Sequence, residues 1–296
     1  MTLRRRTVRA NGLDFPVIEA GEGPLALCLH GFPDHARSWI GLIEHLAEEG
    51  YHAVAPAMRG YWSEGAAPDG AYQPWATGRD ALALIEALGY SRAHLVGHDW
   101  GASAAYAAAN LGADKIDKLV ALAVPYGPQV SAAFLMDGDQ QRRSWYMFFF
   151  QLDLASLAVP MNDFALIDRL WAEWSPGYSL PEAERFALKE MFAQPGVLDQ
   201  TLAYYRQLFS TSPPAGVGLG GPIAAPTLYM HGLNDGCMGA SLANGMANRF
   251  TGGFRMELID GAGHFLHLEQ PRRVADLITE FLGAEVPVGS VIDAPV

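Results

Sequence analysis

The chain has 296 residues, half of them hydrophobic and 18% charged, so it can form one large domain or a core with an inserted subdomain. Its 32 acidic and 20 basic residues give a formal net charge of -12, which argues against binding to nucleic acid or to an anionic membrane. Two cysteines make no disulfide framework, there is no apolar run of membrane-spanning length, and the basic start lacks the apolar stretch of a signal peptide, so we expect a cytoplasmic protein.

The first part of the chain alternates between strand and helix patterns. Residues 6–18 alternate polar and apolar around an Ala-Asn-Gly-Leu turn, which predicts a β-hairpin. Apolar runs typical of strands buried on both faces begin at Leu25, His52, Ala93 and Lys118. The helical patterns that follow are 39–50, 75–88 and 102–111. This alternation predicts an α/β fold with a mostly parallel sheet and helices on both faces, and ligands bind such sheets at the carboxyl ends of the strands.

The middle of the chain breaks this alternation. Residues 128–222 show helical patterns, many aromatic residues and no convincing strand, and they end in a Pro- and Gly-rich stretch typical of a linker. We therefore predict a helical cap over 128–222, inserted between two parts of the core, 1–127 and 223–296.

The core pattern resumes after the predicted cap. An apolar run at 226–230 predicts another buried strand, and the alternation at 254–259 predicts an edge strand. Helical patterns cover 241–250 and 272–281. The tail after Gly283 has no clear pattern, and we expect it to be irregular.

The stretch V-G-H-D-W-G-A, residues 96–102, lies between a predicted strand and a predicted helix. In many hydrolases such a turn carries G-x-S-x-G with serine as the nucleophile, whereas the central residue here is Asp99. Gly97 and Gly101 allow the sharp backbone turn and close packing of the helix on the sheet. An aspartate in a turn is usually only a cap or an Asx-turn, so Asp99 needs support from other sites.

Further polar residues follow other predicted strands. Asp235 follows the strand at 226–230, and His264 follows the last strand in the stretch G-A-G-H-F. The order nucleophile, acid, histidine is that of the α/β-hydrolase triad. After the strand at Leu25 comes H-G-F-P, where this fold supplies one backbone N–H to the oxyanion hole, here that of Phe32. The second N–H is that of Trp100, the residue after the nucleophile.

These motifs together resemble those of the epoxide hydrolases of the α/β-hydrolase fold. H-G-F-P at 30–33, G-H-D-W-G at 97–101, the loop of Asp235 and G-H-F at 263–265 all match, so the resemblance covers nearly the whole chain. It implies an α/β-hydrolase core with an inserted helical cap, and hydrolysis of an epoxide to a diol.

The resemblance also implies two cap tyrosines that activate the epoxide oxygen. Tyr146 in S-W-Y and Tyr205 in Y-Y-R occupy the matching positions. From the residues alone, both tyrosines would be assigned to the apolar core. One departure from the family is Ala57, two residues before Arg59 in the R-G-Y loop, where an aspartate is common.

A carboxylate nucleophile explains the aspartate in the turn. A carboxylate can attack a saturated carbon and form an alkyl ester, so Asp99 would open the epoxide ring while Tyr146 and Tyr205 hold the oxygen. His264, oriented by Asp235, would then activate a water that hydrolyses the ester. The sequence has no Cys/His cluster with metal-ligand spacing and no phosphate-binding glycine motif, so we expect neither a metal nor an organic cofactor.

Three alternatives to the epoxide hydrolase are considered. A haloalkane dehalogenase would use the same aspartate and would bind halide through Trp100, but Phe32 lacks the side-chain donor that this family often has after the His-Gly pair. A serine esterase is disfavoured because no G-x-S-x-G occurs in the chain. A non-catalytic receptor of the same fold would bind a small molecule without turnover.

For the enzyme, the expected partners are a small apolar epoxide and water, and the oligomeric state is left open.

Overall fold

Nine strands form a single sheet in the computed structural model, which describes residues 2–209 and 214–292. The strand order is β1-β2-β4-β3-β5-β6-β7-β8-β9, and all neighbours are parallel except the pairs β1–β2 and β2–β4. The strands are β1 Arg4–Ala10, β2 Leu13–Ala20, β3 Leu25–Leu29, β4 His52–Pro56, β5 Ala93–His98, β6 Ile116–Leu122, β7 Thr227–Gly232, β8 Phe254–Ile259 and β9 Val291–Ile292.

Helices cover both faces of this sheet, which confirms the predicted α/β class. The core helices are α1 Ile40–Glu48, α2 Pro74–Ala87, α3 Trp100–Leu111, α11 Leu266–Glu269 and α12 Pro271–Gly283. Helices α2 and α3 pack against each other on one face, and α1 and α12 pack against each other on the other face.

Strand β3 shows why its sequence forms a central strand. Leu25, Leu27 and Leu29 belong to the apolar cluster beneath α2 and α3, whereas Ala26 and Cys28 belong to the cluster beneath α1 and α12. Because side chains alternate across a strand, an unbroken apolar run can pack against two helical layers at once. The order in which strands are added to the sheet reverses at β3, since β4 lies on one side and β5 on the other, and ligands bind α/β sheets at such points.

The N-terminal hairpin agrees with the prediction from its Asn-Gly turn. Asn11 and Gly12 both have positive φ, 44° and 82°, as a two-residue turn of type I′ requires. The register pairs Ala10 with Leu13, so β1 lies at the outer edge of the sheet. The hairpin extends the parallel core by two antiparallel strands.

Two predictions near the C-terminus are wrong. The predicted helix over 241–250 is two short 3₁₀ turns, Ala240–Ala243 and Met246–Arg249. The first turn ends at Asn244, which has an extended ψ of 127°, and the second begins after Gly245, which has a left-handed φ of 76°. Strand β8 is not at the edge, since the two-residue strand β9 pairs beside it. The tail is therefore not wholly irregular, and the pairing of β9 depends on a neighbouring strand rather than on its own sequence.

Between β6 and β7, the described residues form helices and no strand. These helices are α4 Pro128–Met136, α5 Gly138–Arg143, α6 Trp145–Phe149, α7 Leu154–Ala158, α8 Met161–Trp174, α9 Glu182–Ala193 and α10 Val197–Leu208. Residues 210–213 of the predicted cap and linker lie outside the described residues. The division of the chain at residues 128 and 222 stays a prediction. In the described part of the chain, no helix has both the length and the apolar character needed to span a membrane.

Candidate active site

Asp99 lies at a sharp turn between β5 and α3. Its backbone has φ 54° and ψ -121°, a conformation that is costly for a residue with a side chain and that is found mostly at functional sites. A Cβ on Gly97 would lie 2.3 Å from the Gly101 carbonyl oxygen, and a Cβ on Gly101 would lie 1.9 Å from the Leu29 carbonyl oxygen. Only glycine fits at these two positions, which explains the G-H-D-W-G sequence.

The predicted acid and histidine meet Asp99 at the carboxyl end of the sheet. Asp235 follows β7, and its Oδ1 accepts hydrogen bonds from the N–H groups of Cys237 and Met238, at 2.6 and 2.9 Å. Its Oδ2 lies 2.9 Å from Nδ1 of His264, which turns Nε2 of the imidazole to within 3.5 Å of Asp99 Oδ2. The structure thus brings together three residues that are separated by up to 165 positions in the chain.

The negative charges of Asp99 and Asp235 and the positive charge of His264 shift the pKa values within this triad. Burial by itself would lower the pKa of His264, but the two carboxylates of Asp235 and Asp99 outweigh it and raise that pKa from 6.5 to about 10. Burial would raise the pKa of Asp235, yet the charge and hydrogen bond of His264 hold it below its usual value of 3.8. The protonated form of His264 is therefore favoured at neutral pH, and loss of the negative charge of Asp99 would weaken that preference and make the imidazole a better base.

Cap residues hold the acid and histidine loops together. The carbonyl oxygen of Trp174, at the end of α8, accepts hydrogen bonds from the N–H groups of His264 and Gly236, at 3.0 and 3.1 Å. The hydroxyl of Ser175 accepts from the N–H of Phe265 at 3.0 Å. Sequence reasoning missed these residues because backbone carbonyls and single serines have no recognisable pattern.

One of the two predicted oxyanion-hole donors contacts the nucleophile directly. The N–H of Phe32 donates to Asp99 Oδ1 at 2.7 Å, and a Cβ on Gly31 would lie 2.2 Å from the same oxygen. The structure has no hydrogen bond from the N–H of Trp100 to this carboxylate in the described part of the chain. The H-G-F-P loop therefore needs glycine at position 31 to let the backbone approach Asp99.

The two cap tyrosines face the nucleophile across a cavity. Tyr146 lies on α6 and Tyr205 on α10, their ring centroids are 5.6 Å apart, and the ring of Tyr205 contacts those of Phe32 and Trp100. The cavity has a volume of about 130 Å³. It is lined by Pro74, Asp99, Trp100, Ser103, Val124, Val130, Ser131, Phe134, Tyr146, Met147, Tyr205, Leu208, Cys237 and Met238. This is an apolar chamber with a few polar groups, as is usual for small-molecule sites.

Several polar atoms around Asp99 are buried without a hydrogen bond among the described residues. They are the Tyr205 hydroxyl and the Trp100 indole nitrogen, while Nε2 of His264 has only the long contact of 3.5 Å to Asp99 Oδ2. Buried polar groups are normally paired, so a cluster of unpaired ones marks a place where another molecule binds. Burial raises the pKa of Tyr146 and Tyr205 well above the usual value of 10, so both hydroxyls keep their protons and can donate them.

The loop that departs from the family pattern at Ala57 has another partner for its arginine. Arg59 is buried, and it donates to both oxygens of Asp80, at 2.5 and 2.6 Å, and to Asp69 at 3.2 Å. Its carbonyl oxygen accepts from the hydroxyl of Tyr204 at 2.8 Å. The R-G-Y loop is thus tied to α2 and to the cap helix that carries the predicted tyrosine.

Two buried groups in the described part of the chain have the spacing of metal ligands. One is formed by Asp34, His98 and His267, and it lies behind the triad, since His98 Nε2 is 2.9 Å from the His264 carbonyl oxygen. The other consists of Asp235, Cys237 and His264. Burial raises the pKa of the Cys237 thiol well above 9, and a protonated thiol is a poor metal ligand.

Comparisons with known proteins agree with this geometry. The family model described as alpha/beta hydrolase fold matches residues 24–271. Epoxide hydrolase 4 of Homo sapiens is 31% identical over 288 residues, 94% of this chain and 78% of the human protein. Epoxide hydrolase A of Mycobacterium tuberculosis (strain ATCC 25618 / H37Rv) is 30% identical over 311 residues, 94% of this chain and 96% of the relative.

A solved structure extends the similarity to three dimensions. The crystal structure of Bacillus megaterium epoxide hydrolase in complex with an inhibitor superimposes with a TM-score of 0.83 at 25% identity, covering 94% of this chain and all of that chain. At this coverage the matches include the helical segment between β6 and β7 as well as the sheet. The chain belongs to the α/β-hydrolase fold family and, within it, to the epoxide hydrolases.

Proposed function

We propose that this protein hydrolyses a small apolar epoxide to a vicinal diol through a covalent ester on Asp99. The observation that carries the proposal is the pair of buried, protonated tyrosines, Tyr146 and Tyr205, which line the same cavity as Asp99. An epoxide oxygen gains negative charge as the ring opens, and hydroxyl donors in a chamber shielded from water stabilise that charge.

In the first step, Asp99 Oδ2 attacks an epoxide carbon and the carbon–oxygen bond of the ring breaks. The released oxygen takes a proton from a tyrosine hydroxyl, and the tyrosine regains a proton, through solvent, from the imidazolium of His264, which leaves the imidazole neutral. Oδ1 is hydrogen-bonded to the N–H of Phe32, which supports its role as the carbonyl oxygen of the ester. We propose that the N–H of Trp100 adds a second donor when negative charge develops on this oxygen.

In the second step, His264 removes a proton from a water that attacks the ester carbonyl. The ester leaves Asp99 without its charge, so one of the two groups that raise the histidine pKa is lost and the imidazole becomes an available base. Asp235 keeps the ring oriented through the bond to Nδ1. Collapse of the intermediate passes the second proton of the water to the leaving oxygen, releases the diol and restores the carboxylate. His264 is then protonated as at the start, and epoxide and water are consumed in equal amounts.

The cavity has room for an apolar substrate that carries a substituent beyond its epoxide ring. The chamber beside Asp99 shares five lining residues with an outer pocket of about 420 Å³. The shared residues are Pro74, Ser103, Val124, Val130 and Ser131. An alkyl or aryl substituent can therefore extend into the outer pocket while the epoxide lies beside the tyrosines.

A dehalogenase remains the second candidate, favoured by the unpaired indole nitrogen of Trp100 in the cavity wall. An assay of purified protein against epoxides, haloalkanes and nitrophenyl esters separates the possibilities. We expect diol from at least one apolar epoxide, and none from the Asp99→Ala variant. Halide release without any diol would favour the dehalogenase, and absence of all turnover would favour a binding protein.

We also propose that the enzyme acts in the cytoplasm, with residues 128–222 as its cap, and that it binds neither nucleic acid nor membranes. Both cysteines, Cys28 and Cys237, are free and buried, which supports a reducing compartment. The net charge of -12 disfavours nucleic acid and anionic membranes as partners. Cell fractionation tests the location, and recovery in a membrane or extracellular fraction would contradict it.

A further inference from the structure

The thiol of Cys237 touches one of the two tyrosines in the cavity. Cys237 is the second residue after Asp235, it is 1% exposed, and it lines the chamber beside Asp99. Its sulfur lies 3.3 Å from the hydroxyl oxygen of Tyr146, and either atom can be the donor in this contact. The proposed chemistry has so far assigned no part to this side chain.

The backbone of Cys237 is held from two directions. Its N–H donates to Asp235 Oδ1 at 2.6 Å, and its carbonyl oxygen accepts from Nε2 of Gln140, on the cap helix α5, at 2.9 Å. These bonds involve only backbone atoms of Cys237, so the position of the loop does not depend on the thiol. The side chain can therefore be changed without removing the groups that orient the triad.

Each member of the Cys237–Tyr146 contact carries one hydrogen. Burial raises the pKa of both groups, so both are protonated at neutral pH. When the phenolic hydrogen of Tyr146 is directed at the substrate oxygen, the thiol hydrogen is the one left to bridge the two side chains. A bond received by the phenol oxygen makes its own O–H a better donor, because hydrogen bonds in a chain polarise one another.

The second tyrosine has no such support. The hydroxyl of Tyr205 is buried and interacts with the side chains of Trp100 and Tyr146, without a hydrogen bond of ideal geometry and without a bond to a thiol, so it can turn to donate to a molecule in the cavity. A ligand that accepts hydrogen bonds from both hydroxyls would therefore bind one donor, Tyr146, that contacts a thiol, and one donor, Tyr205, that does not. The thiol of Cys237 can thus affect the reaction only when a hydrogen-bond acceptor, such as the substrate oxygen, lies in the chamber beside Tyr146.

We propose that Cys237 is a positioning residue for ring opening, whose thiol donates to the hydroxyl oxygen of Tyr146 and aims the phenolic hydrogen at the epoxide oxygen. This inference rests on the proposed function. It concerns only the first step, since the ester is hydrolysed by His264 and Asp235. Thiol hydrogen bonds are weak, so its loss should slow ester formation by about threefold to tenfold.

The test measures the two steps separately with styrene oxide under single-turnover conditions, by rapid quenching and intact-protein mass spectrometry. Cys237→Ala should slow ester formation while the rate of ester breakdown is unchanged. Cys237→Ser keeps a hydroxyl donor and should stay within about twofold of the parent protein. Cys28→Ala, which removes the other buried thiol from β3, is the matched control and should leave ester formation unchanged.

A double-mutant cycle with Tyr146→Phe decides whether the thiol acts through the tyrosine. Without the hydroxyl, removal of the thiol should have no further effect on ester formation. An equal loss in both backgrounds, or a loss in ester breakdown, would overturn the inference and make Cys237 a support for the loop. If the parent protein hydrolysed epoxides without forming an ester, the proposed mechanism itself would fail. That outcome is distinct from an ester-forming protein in which Cys237 and Tyr146 show no coupling.

Discussion

Replacing His264 with glutamine should separate the two half-reactions of the proposed mechanism. The proposed mechanism gives His264 a different task in each step. Its Nε2 lies 3.5 Å from Asp99 Oδ2, a long contact, whereas in the second step it is the base within reach of a water beside Asp99. Glutamine can still donate to Asp235, but it cannot remove a proton from water.

The expected magnitudes differ between the steps. Loss of the long contact to Asp99 removes at most one ordinary hydrogen bond, about 0.5–1.5 kcal/mol, so ester formation should change by no more than about tenfold. Loss of a general base slows a reaction by roughly 10²–10⁴-fold, and this applies to ester breakdown. The His264→Gln protein should therefore accumulate as the ester.

The assay is intact-protein mass spectrometry after addition of an epoxide that the parent protein hydrolyses. We expect a mass increase equal to that of the epoxide, located on Asp99 by peptide mapping. The double variant Asp99→Ala/His264→Gln is the matched control and should gain no mass. Turnover by His264→Gln at the parental rate, or loss of activity without an adduct, would refute the assignment of His264.

Labelled water tests the same intermediate in the unmodified protein. In a single turnover in ¹⁸O-water, the ester mechanism delivers an oxygen of Asp99 to the diol and leaves ¹⁸O in the protein. Direct attack of water on the epoxide would instead label the diol in that first turnover. The second result would reject the covalent mechanism and leave the substrate class intact.

The other predictions concern the nucleophile, the donors, protonation and the turn. Asp99→Ala should abolish epoxide hydrolysis while the far-ultraviolet circular dichroism stays native, and retained activity would exclude Asp99 as the nucleophile. Tyr146→Phe and Tyr205→Phe should each slow ester formation by about 10²-fold, by analogy with oxyanion-hole donors, and parental rates in both would assign the tyrosines to the core. The rate of ester breakdown should rise with pH as His264 loses its proton. The apparent pKa of this rise, measured by single-turnover kinetics, should lie below the His264 pKa of about 10 in the free protein, measured by NMR, because the ester removes the charge of Asp99. Equal pKa values from the two measurements would contradict this. Gly101→Ala should sharply lower the thermal midpoint, because its Cβ would lie 1.9 Å from a backbone oxygen of β3; an unchanged midpoint would show that the turn can relax.

Local patterns were enough to predict the fold class and the residues of the turn. Alternating buried strands and helices predict a parallel α/β sheet because each pattern depends on a period of two or of 3.6 residues along the chain. The sequence around Asp99 is informative for a similar reason, since two close backbone contacts demand glycines at 97 and 101, on either side of the strained Asp99. Sequence similarity to a known family, and not periodicity, singled out Tyr146 and Tyr205.

Features that depend on neighbours in space escaped the sequence reasoning. The helical pattern over 241–250 does not indicate that Gly245 adopts a left-handed conformation. Strand β9 has only two residues, and its assignment depends on the hydrogen bonds that it makes with β8.

Contacts within the active site are a second feature that the sequence did not predict. The Trp174 carbonyl joins two catalytic loops, and the Cys237 thiol meets Tyr146 across 91 positions of the chain. The sequence by itself determined which residue types stand at the strand ends, because backbone geometry restricts them locally. Only the tertiary structure decided which side chains touch in the cavity, because those contacts arise where the cap packs on the core.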